Sequence, residues 1–348
     1  MLKRKKTSST VVGLELDPSH VAAAEVAVNG SVVATNGATA ELRAGVLRDG
    51  EVNDAAALTE TLRAMWAEHK LPTRVRLGIA NQRIVVRTLH LPPLDDEKAL
   101  AAAVRVEAPD HIPMPIDEAV LDFQVLGVVD TPQGARTRVV IVAVRREMVE
   151  RFADAVRAAG LQIEGIDLSA FGMVRALSAD SAGDGEGVLY VNVAGLTNVA
   201  VASGSDCLFT RAASGGMDAL VHTLAERRAL TAEHARQWLE HVGLETPIED
   251  VEGDAEVVVA ARAVLEEGVH QLADTIRNSL NFYRMQEGAQ DVSRVVLTGP
   301  ALAVPGLAAR LSSELRLPLD VATVRHDDVL ADRAGALTVA AGLAVEQA

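Results

Sequence analysis

The chain of 348 residues carries a formal net charge of −15 at pH 7, and 49% of its residues are hydrophobic. An acidic surface repels nucleic acid, whose binding requires clustered Lys and Arg side chains. The hydrophobic fraction excludes a globally disordered chain, and the length suits two or three units of ordinary domain size.

The cysteine content, the N-terminus and the hydropathy pattern together indicate the compartment. Cys207 is the single cysteine, so no internal disulfide can form, which favours a reducing compartment. No apolar run follows the basic residues Lys3–Lys6, and no stretch reaches the roughly 18 apolar residues of a membrane span. We expect a cytoplasmic protein that is peripheral at the inner face of the membrane through partners, with Lys3–Lys6 as a solvated tail.

The first half of the chain is predicted to be of mixed α/β type and to open with a β-meander. Asn29-Gly30 is the signature of a two-residue hairpin turn, and Pro109, Pro113 and Pro115 favour an extended connection. In chain order, the sequence predicts strands Val11–Leu16, Val21–Val28 and Ser31–Leu42, helix Asp54–His69, strands Arg74–Ile79 and Arg83–Leu91, helix Asp95–Glu107, strands Ala119–Val129 and Arg136–Val144, helix Arg146–Ala159, strand Leu161–Asp167 and helix Ala170–Leu177.

The second half repeats the opening pattern after a Ser/Gly/Asp-rich segment, Ser178–Gly187, that is typical of a linker. The prediction continues with strands Val188–Ala194, Asn198–Ala202 and Cys207–Ala212, helices Met217–Leu230, Ala232–Val242 and Val257–Met285, strand Arg294–Leu297, helix Pro305–Leu315, strand Leu319–Ala322 and helix Asp332–Val345. This recurrence of strand, turn and strand indicates a duplicated, two-lobed architecture.

Three blocks of sequence resemble the type IV pilus assembly protein PilM family. Within Leu94–Gly127, a helix ends at a Glu-containing turn, an Ile-Pro-x-Pro corner follows at Ile112–Pro115, and a strand reads x-Asp-Glu-x-x-x-Asp-Phe up to Phe123. Arg294–Leu307 resembles the family's adenosine-loop strand and the helix after it, and Ala212–Met217 resembles its Gly-Gly helix start. The similarity runs from about Val11 to Leu343.

This resemblance implies an actin/Hsp70-like two-lobed α/β fold with an inserted small subdomain of the FtsA/PilM type, also called SHS2. The implied division is 1–82 for the ribonuclease-H-like part of the first lobe and 83–167 for the inserted subdomain. Residues 168–187 form the connection and linker, and 188–348 form the second lobe, with the C-terminal helix completing the first. The implied function is a cytoplasmic scaffold of pilus assembly that binds the cytoplasmic peptide of a PilN-like inner-membrane protein, besides other pilus assembly subunits.

In this fold, two hairpin turns hold nucleotide phosphates through backbone amides, and carboxylates at the strand ends position Mg²⁺. The first turn departs from the family pattern, because Glu15 replaces Asp, Asp17 replaces the turn glycine and Pro18 lacks an amide donor. The second turn has Asn192 in place of Asp and Ala194 in place of Gly. Asp17 places a negative charge where a phosphate would lie, and two unit charges about 4 Å apart repel by roughly 4 kcal/mol at an effective dielectric of 20.

The resemblance assigns a weak or vestigial nucleotide site to ten positions: Gly13, Glu15, Ser19, Asn192, Gly195, Thr197, Gly215, Gly216, Arg236 and Gly299. Binding of ATP and Mg²⁺ is possible but disfavoured, and we expect no catalytic residue and no hydrolysis. A shift of the loop alignment by one residue would leave Gly195 and Gly299 as working glycines. Arg236, which falls where the family has a Lys near the ribose, could equally be an ordinary exposed helix residue.

The partner peptide is expected in a groove between the first lobe and the inserted subdomain, with Arg83, Arg87 and the strand that begins at Asp117 as candidate lining residues. Arg83 and Arg87 could instead keep an edge strand soluble. An active, conformationally switching ATPase of a pilus or related secretion system is the main alternative function. A sugar- or acetate-kinase relative is a third, but the sequence lacks a kinase-type catalytic Asp motif. The spacing of the nine His residues predicts no metal site.

Overall fold

The computed structural model describes residues 11–94, 96–131, 134–178, 186–286 and 288–346. The basic residues Lys3–Lys6 and most of the predicted linker Ser178–Gly187 lie outside the described residues. The strands are β1 Val12–Leu16, β2 His20–Val28, β3 Val32–Glu41, β4 Leu47–Arg48, β5 Glu51–Val52, β6 Arg74–Ile79, β7 Val85–Leu91, β8 Ala119–Thr131, β9 Gly134–Arg145, β10 Gln162–Leu168, β11 Gly187–Val193, β12 Thr197–Ser203, β13 Asp206–Ala213, β14 Val292–Thr298, β15 Leu319–Val321 and β16 Arg325–His326. The helices are α1 Ala55–His69, α2 Glu97–Glu107, α3 Arg146–Ala158, α4 Ser169–Leu177, α5 Met217–Arg228, α6 Ala232–Val242, α7 Ala255–Arg284, α8 Leu307–Leu315 and α9 Ala334–Ala344. In the described ranges, none of these helices combines the length and hydropathy that a membrane span requires.

The first lobe is built on a six-stranded sheet with the order β10-β6-β1-β2-β3-β16. Side chains alternate between the two faces of a strand, so Val12, Leu14 and Leu16 of β1 enter the core that includes residues of α1 and α3. Gly13 and Glu15 therefore lie on the opposite face, which is turned toward α9. That opposite face is where the first-lobe part of the predicted site begins.

The second lobe repeats this connectivity, and its strands follow the order β13-β12-β11-β14-β15. In both lobes the leading strand pairs antiparallel with the next one and parallel with a later strand: β1 with β2 and β6, and β11 with β12 and β14. The two leading strands thus occupy equivalent central positions. The duplicated, two-lobed architecture predicted from the recurring meander is confirmed.

Helices α4 and α9 lie between the two sheets and join the lobes. Residues of both helices share a hydrophobic cluster with the second-lobe strands, and α9 also packs on β2 and β3. The helices approach closely because Gly342 has no side chain: a Cβ there would lie 1.7 Å from the carbonyl oxygen of Gly172. At Gly13 a Cβ would lie 1.8 Å from the carbonyl oxygen of Ala340, so α9 rests directly on the backbone of β1.

The inserted unit is a three-stranded sheet with the order β7-β9-β8. One face packs against α2 through Ile141, Leu100 and Val104, and Val140 and Val144 of β9 join the first-lobe core. The division of the chain predicted from sequence stays a prediction. Because β10 pairs with β6 in the first sheet, we propose that the inserted unit ends at β9 and not at residue 167.

Candidate functional site

The first hairpin turn, between β1 and β2, closes around the side chain of Asp17. The amides of Asp17 and His20 each donate to the carbonyl oxygen of the other residue, at 3.0 and 3.2 Å. Asp17 Oδ1 accepts a hydrogen bond from the Ser19 amide at 2.9 Å and another from Ser19 Oγ at 2.6 Å. This is the Asx turn that Asp-x-Ser sequences favour, and it aims the carboxylate outward from the first lobe.

The Asp17 carboxylate reaches the second hairpin turn, between β11 and β12. The Gly195 amide donates to Asp17 Oδ1 at 2.7 Å, and the Leu196 amide donates to Oδ2 at 3.2 Å. Two successive amides that converge on one anion form a nest, an arrangement that binds phosphate and other anions in many proteins. The side chain is only 3% exposed, so this contact between the lobes is shielded from solvent.

Glycines allow the turns to approach each other, and any side chain would fill the space between them. A Cβ at Gly195 would lie 2.4 Å from Asp17 Oδ1, and one at Gly216 would lie 2.2 Å from the carbonyl oxygen of Ala194. Gly299, whose φ is +106°, would place a Cβ 2.4 Å from Asn192 Oδ1. Gly215 also has positive φ, +97°, and forms the corner before α5 with Gly216.

The first turn carries two further titratable groups, Glu15 and His20. Burial raises the pKa of Glu15 to about 8, so its carboxyl is mostly protonated at neutral pH. His20 Nδ1 lies 3.0 Å from Ser19 Oγ and 3.6 Å from Asp17 Oδ1, beyond hydrogen-bond distance of the carboxylate. Burial alone would lower the pKa of His20, but the Asp17 charge raises it above its usual value. Burial would likewise raise the pKa of Asp17, but His20 and the Ser19 hydrogen bonds hold it below its usual range.

The floor of the cleft on the second-lobe side is polar. Asn192 Nδ2, Thr197 Oγ1 and Thr298 Oγ1 are buried and have no hydrogen-bond partner among the described residues. Asn192 occupies in β11 the place that Glu15 occupies in β1, and Thr298 is its partner on β14. Buried polar groups of this kind are normally satisfied by protein or by ordered water.

The structure brings eight of the ten predicted nucleotide-site residues to the facing turns and strand ends: Glu15, Ser19, Asn192, Gly195, Thr197, Gly215, Gly216 and Gly299. Gly13 lies within β1, where it seats α9. Arg236 of α6 reaches across the cleft and pairs with Glu41 at the end of β3, with Nε 3.4 Å from Oε1. Arg236 thus forms a contact between the lobes.

Of the predicted partner-binding residues, Arg83 and Arg87 line one cavity, and Asp117 is not among its lining residues. Arg83 precedes β7 and pairs with Glu51 at 2.8 Å. Arg87 donates to the carbonyl oxygen of Val86 and has its guanidinium carbon 5.9 Å from the ring centre of Phe282, in a cavity of about 480 Å³ that faces the second lobe. Asp117 lies in the turn before β8 and is exposed.

A groove of about 800 Å³ lies between the inserted unit and the first lobe, where the sequence places the partner peptide. The strand that follows Asp117, β8, lines this groove, but Arg83 and Arg87 do not. β8 and β10 border it, and each is the end strand of its sheet. Its wall is largely apolar, with Ile166 at 36% and Val128 at 65% exposure, and Phe171 at one side. Acidic side chains also line it, namely Glu97, Asp122 and Asp167.

Two features of the candidate sites were missed at the level of sequence. Asp17 was identified only as a charge that repels phosphate, but its role as a ligand of the turn could have been found, because Asp-Pro-Ser-His is an Asx-turn signature that ties the carboxylate to the turn. The groove residues Ile166, Val128 and Phe171 carried no local signal, because apolar residues in strands are ordinarily core residues.

The sequence model of the family described as type IV pilus assembly protein PilM matches residues 13–348. The chain belongs to this family. It is 26% identical to a chain in the structure of a PilM–PilN type IV pilus biogenesis complex, covering 96% of this chain and 97% of that one, with a TM-score of 0.79.

More distant similarities show the fold alone. The ethanolamine utilization protein EutJ from Carboxydothermus hydrogenoformans is 15% identical over 98% of this chain and 91% of its own, with a TM-score of 0.54. MreB5 of Spiroplasma citri bound to ADP is 11% identical over 96% and 95%, also with a TM-score of 0.54. The predicted actin-like fold with a PilM-type inserted unit is therefore confirmed.

Proposed function

We propose that this PilM-family chain is a scaffold of type IV pilus assembly that binds the cytoplasmic peptide of a PilN-like inner-membrane protein in the groove between β8 and β10. The observation that carries the proposal is that two sheet edges face one open, largely apolar groove. A strand edge offers unpaired amides and carbonyls to an extended peptide, and apolar pockets take its alternate side chains.

The charge of the groove indicates the kind of peptide it would take. Glu97 and Asp122 line it together with Asp167, whose carboxylate is paired with Arg175, and the whole chain carries a net charge of −15. Segments on the cytoplasmic side of a membrane span are enriched in Lys and Arg. An extended peptide with apolar side chains at alternating positions and basic residues between them fits both features. Binding such a peptide would hold this chain at the inner face of the membrane through its partner.

We further propose that the scaffold works without hydrolysing ATP. The amides of Gly195 and Leu196 already bind the Asp17 carboxylate, so a phosphate would have to displace an anion. Glu15 is mostly neutral below about pH 8, and Asn192 is uncharged, whereas Mg²⁺ requires oxygen ligands and favours carboxylates. These residues do not fit a magnesium triphosphate, although relatives of the same fold have been solved with nucleotide.

Ile166→Arg is expected to weaken binding of the partner peptide by about tenfold or more, because it places a charge in the apolar wall and repels a basic peptide. The measurement is fluorescence anisotropy with the labelled cytoplasmic peptide of an adjacent single-span membrane protein. Val28→Arg is the matched control, since Val28 is an exposed strand residue of the same sheet outside the groove.

Two further measurements distinguish binding in the groove between β8 and β10 from binding at the residues predicted from the sequence. Arg87→Ala should leave the affinity unchanged if the groove is the site, and should reduce it if Arg83, Arg87 and Asp117 bind the peptide. A peptide with its Lys and Arg residues changed to Glu should lose affinity for the wild-type chain. Equal binding by wild type and Ile166→Arg would refute the groove.

A further inference from the structure

The contact between Asp17 and the second hairpin turn resembles an anion-binding site with its anion bound. Two successive amides, those of Gly195 and Leu196, converge on its carboxylate from one lobe, and the amide and hydroxyl of Ser19 donate to it from the other. Four donors leave little unmet hydrogen-bonding capacity on the carboxylate. Asp17 and Gly195 are 178 residues apart, so the bonds link lobes and not neighbouring residues.

We propose that the Asp17 carboxylate is a built-in ligand of the phosphate nest, which holds the two lobes closed in place of a nucleotide phosphate. The proposal rests on the function without ATP hydrolysis proposed above and deepens it, because it gives Asp17 a structural role in place of a bound phosphate. Without the carboxylate, the nest should become a site for phosphate-class anions.

The surroundings of the nest indicate that the contact between the Asp17 carboxylate and the Gly195 and Leu196 amides, called the latch below, is part of the fold. Gly195 leaves room for the carboxylate alone, since a Cβ there would also lie 2.8 Å from the Ser19 amide nitrogen. The Leu42 amide donates to the carbonyl oxygen of Ser19 at 3.1 Å, which ties the turn to the end of β3. Next to it, Arg236 and Glu41 form a second contact between the lobes. The two contacts together bridge the cleft at one end.

Amide hydrogen exchange tests the latch at both turns. Asp17→Asn keeps the size of the side chain but removes its charge and places an amide donor against the nest. We expect the Gly195 and Leu196 amides to exchange about tenfold faster or more, because hydrogen bonds to charged groups are among the stronger ones. Asp206→Asn, at the β12–β13 turn within the second lobe, is the matched control and should leave these two amides unchanged.

Gly195→Ala approaches the same contact from the other lobe, and it serves if Asp17→Asn fails to fold. It should speed exchange at Ser19, and its effect should not add to that of Asp17→Asn in the double variant. Two results would contradict the proposal: fully additive effects of Gly195→Ala and Asp17→Asn on amide exchange, or unchanged exchange of the Gly195 and Leu196 amides in Asp17→Asn.

Inorganic phosphate tests whether the nest binds an anion once the Asp17 carboxylate has been removed. In Asp17→Gly, millimolar phosphate should restore protection of the Gly195 and Leu196 amides, and in the wild-type chain it should change nothing. Failure of phosphate to restore protection in Asp17→Gly would show that the nest is not an anion site. A phosphate response of the wild-type amides would show that the carboxylate is displaceable and would overturn its role as a built-in ligand. Hydrolysis of MgATP by the wild-type chain, with the Gly195 and Leu196 amides still protected, would contradict the function without ATP hydrolysis and not the role of Asp17.

Discussion

Gly13→Ala is expected to lower the free energy of unfolding by about 3 kcal/mol or more, at the upper end of the range for overpacked sites. The new Cβ would lie 1.8 Å from the carbonyl oxygen of Ala340 and 2.5 Å from the amide nitrogen of Ala344. Both atoms belong to the backbone of α9, so no side-chain rotation can relieve the clash. Helix α9 must therefore move away from β1. Because α9 is one of the two helices that join the lobes, this movement also disturbs the connection between them.

The measurement is denaturant unfolding of the variant beside Gly165→Ala. Gly165 lies on β10 of the same sheet, and a Cβ there would find only Arg76 side-chain atoms at 3.6 Å or more. This control should stay within about 0.5 kcal/mol of the parent, as surface substitutions usually do. Equal stability of the two variants would show that α9 is not seated on Gly13.

Glu15→Gln is expected to stabilise the fold by about 3 kcal/mol at pH 7, since each unit of pKa shift corresponds to 1.36 kcal/mol. Burial raises the pKa of Glu15 from 4.5 to about 8, so the folded state binds a proton that the unfolded state has released. The stability of the parent chain should therefore fall as the pH rises from about 4.5 to about 8. Glutamine keeps the shape of the protonated acid and removes this dependence.

The test is the difference in unfolding free energy between Glu15→Gln and the parent as a function of pH. The difference should be near zero at pH 4.5 and should reach its full size above pH 8. The raised pKa of His20, which faces the same cluster as Asp17, Glu15 and Arg236, adds a slope of the same sign, but it is common to both proteins and largely cancels. Glu60→Gln, the same substitution on an exposed site of α1, is the matched control.

Local pattern was sufficient for the elements and for their duplication. The Asn29-Gly30 turn, the four-residue spacing of Leu58, Leu62 and Trp66 in α1 and the repeated meander are properties of short segments, and the structure has a strand or helix at nearly every predicted place. The pair β4–β5 and the strand β16 were missed because each strand has only two residues, too few for a period to appear. The family followed from the corner at Ile112–Pro115, which is also local.

The sequence alone therefore determined three features of this protein. They are the set of strands and helices, the two-lobed plan, and the departures from the phosphate-binding pattern at Glu15, Asp17 and Asn192. Tertiary structure alone decided what those departures do. Whether the Asp17 carboxylate repels an anion or replaces one depends on its distance to amides 178 and 179 residues away. Whether Glu15 is charged depends on its burial beneath α9, and whether an apolar strand is core or groove depends on which edges remain uncovered. Each of these outcomes depends on contacts between segments that are distant in sequence. Those contacts form only when the two lobes pack together.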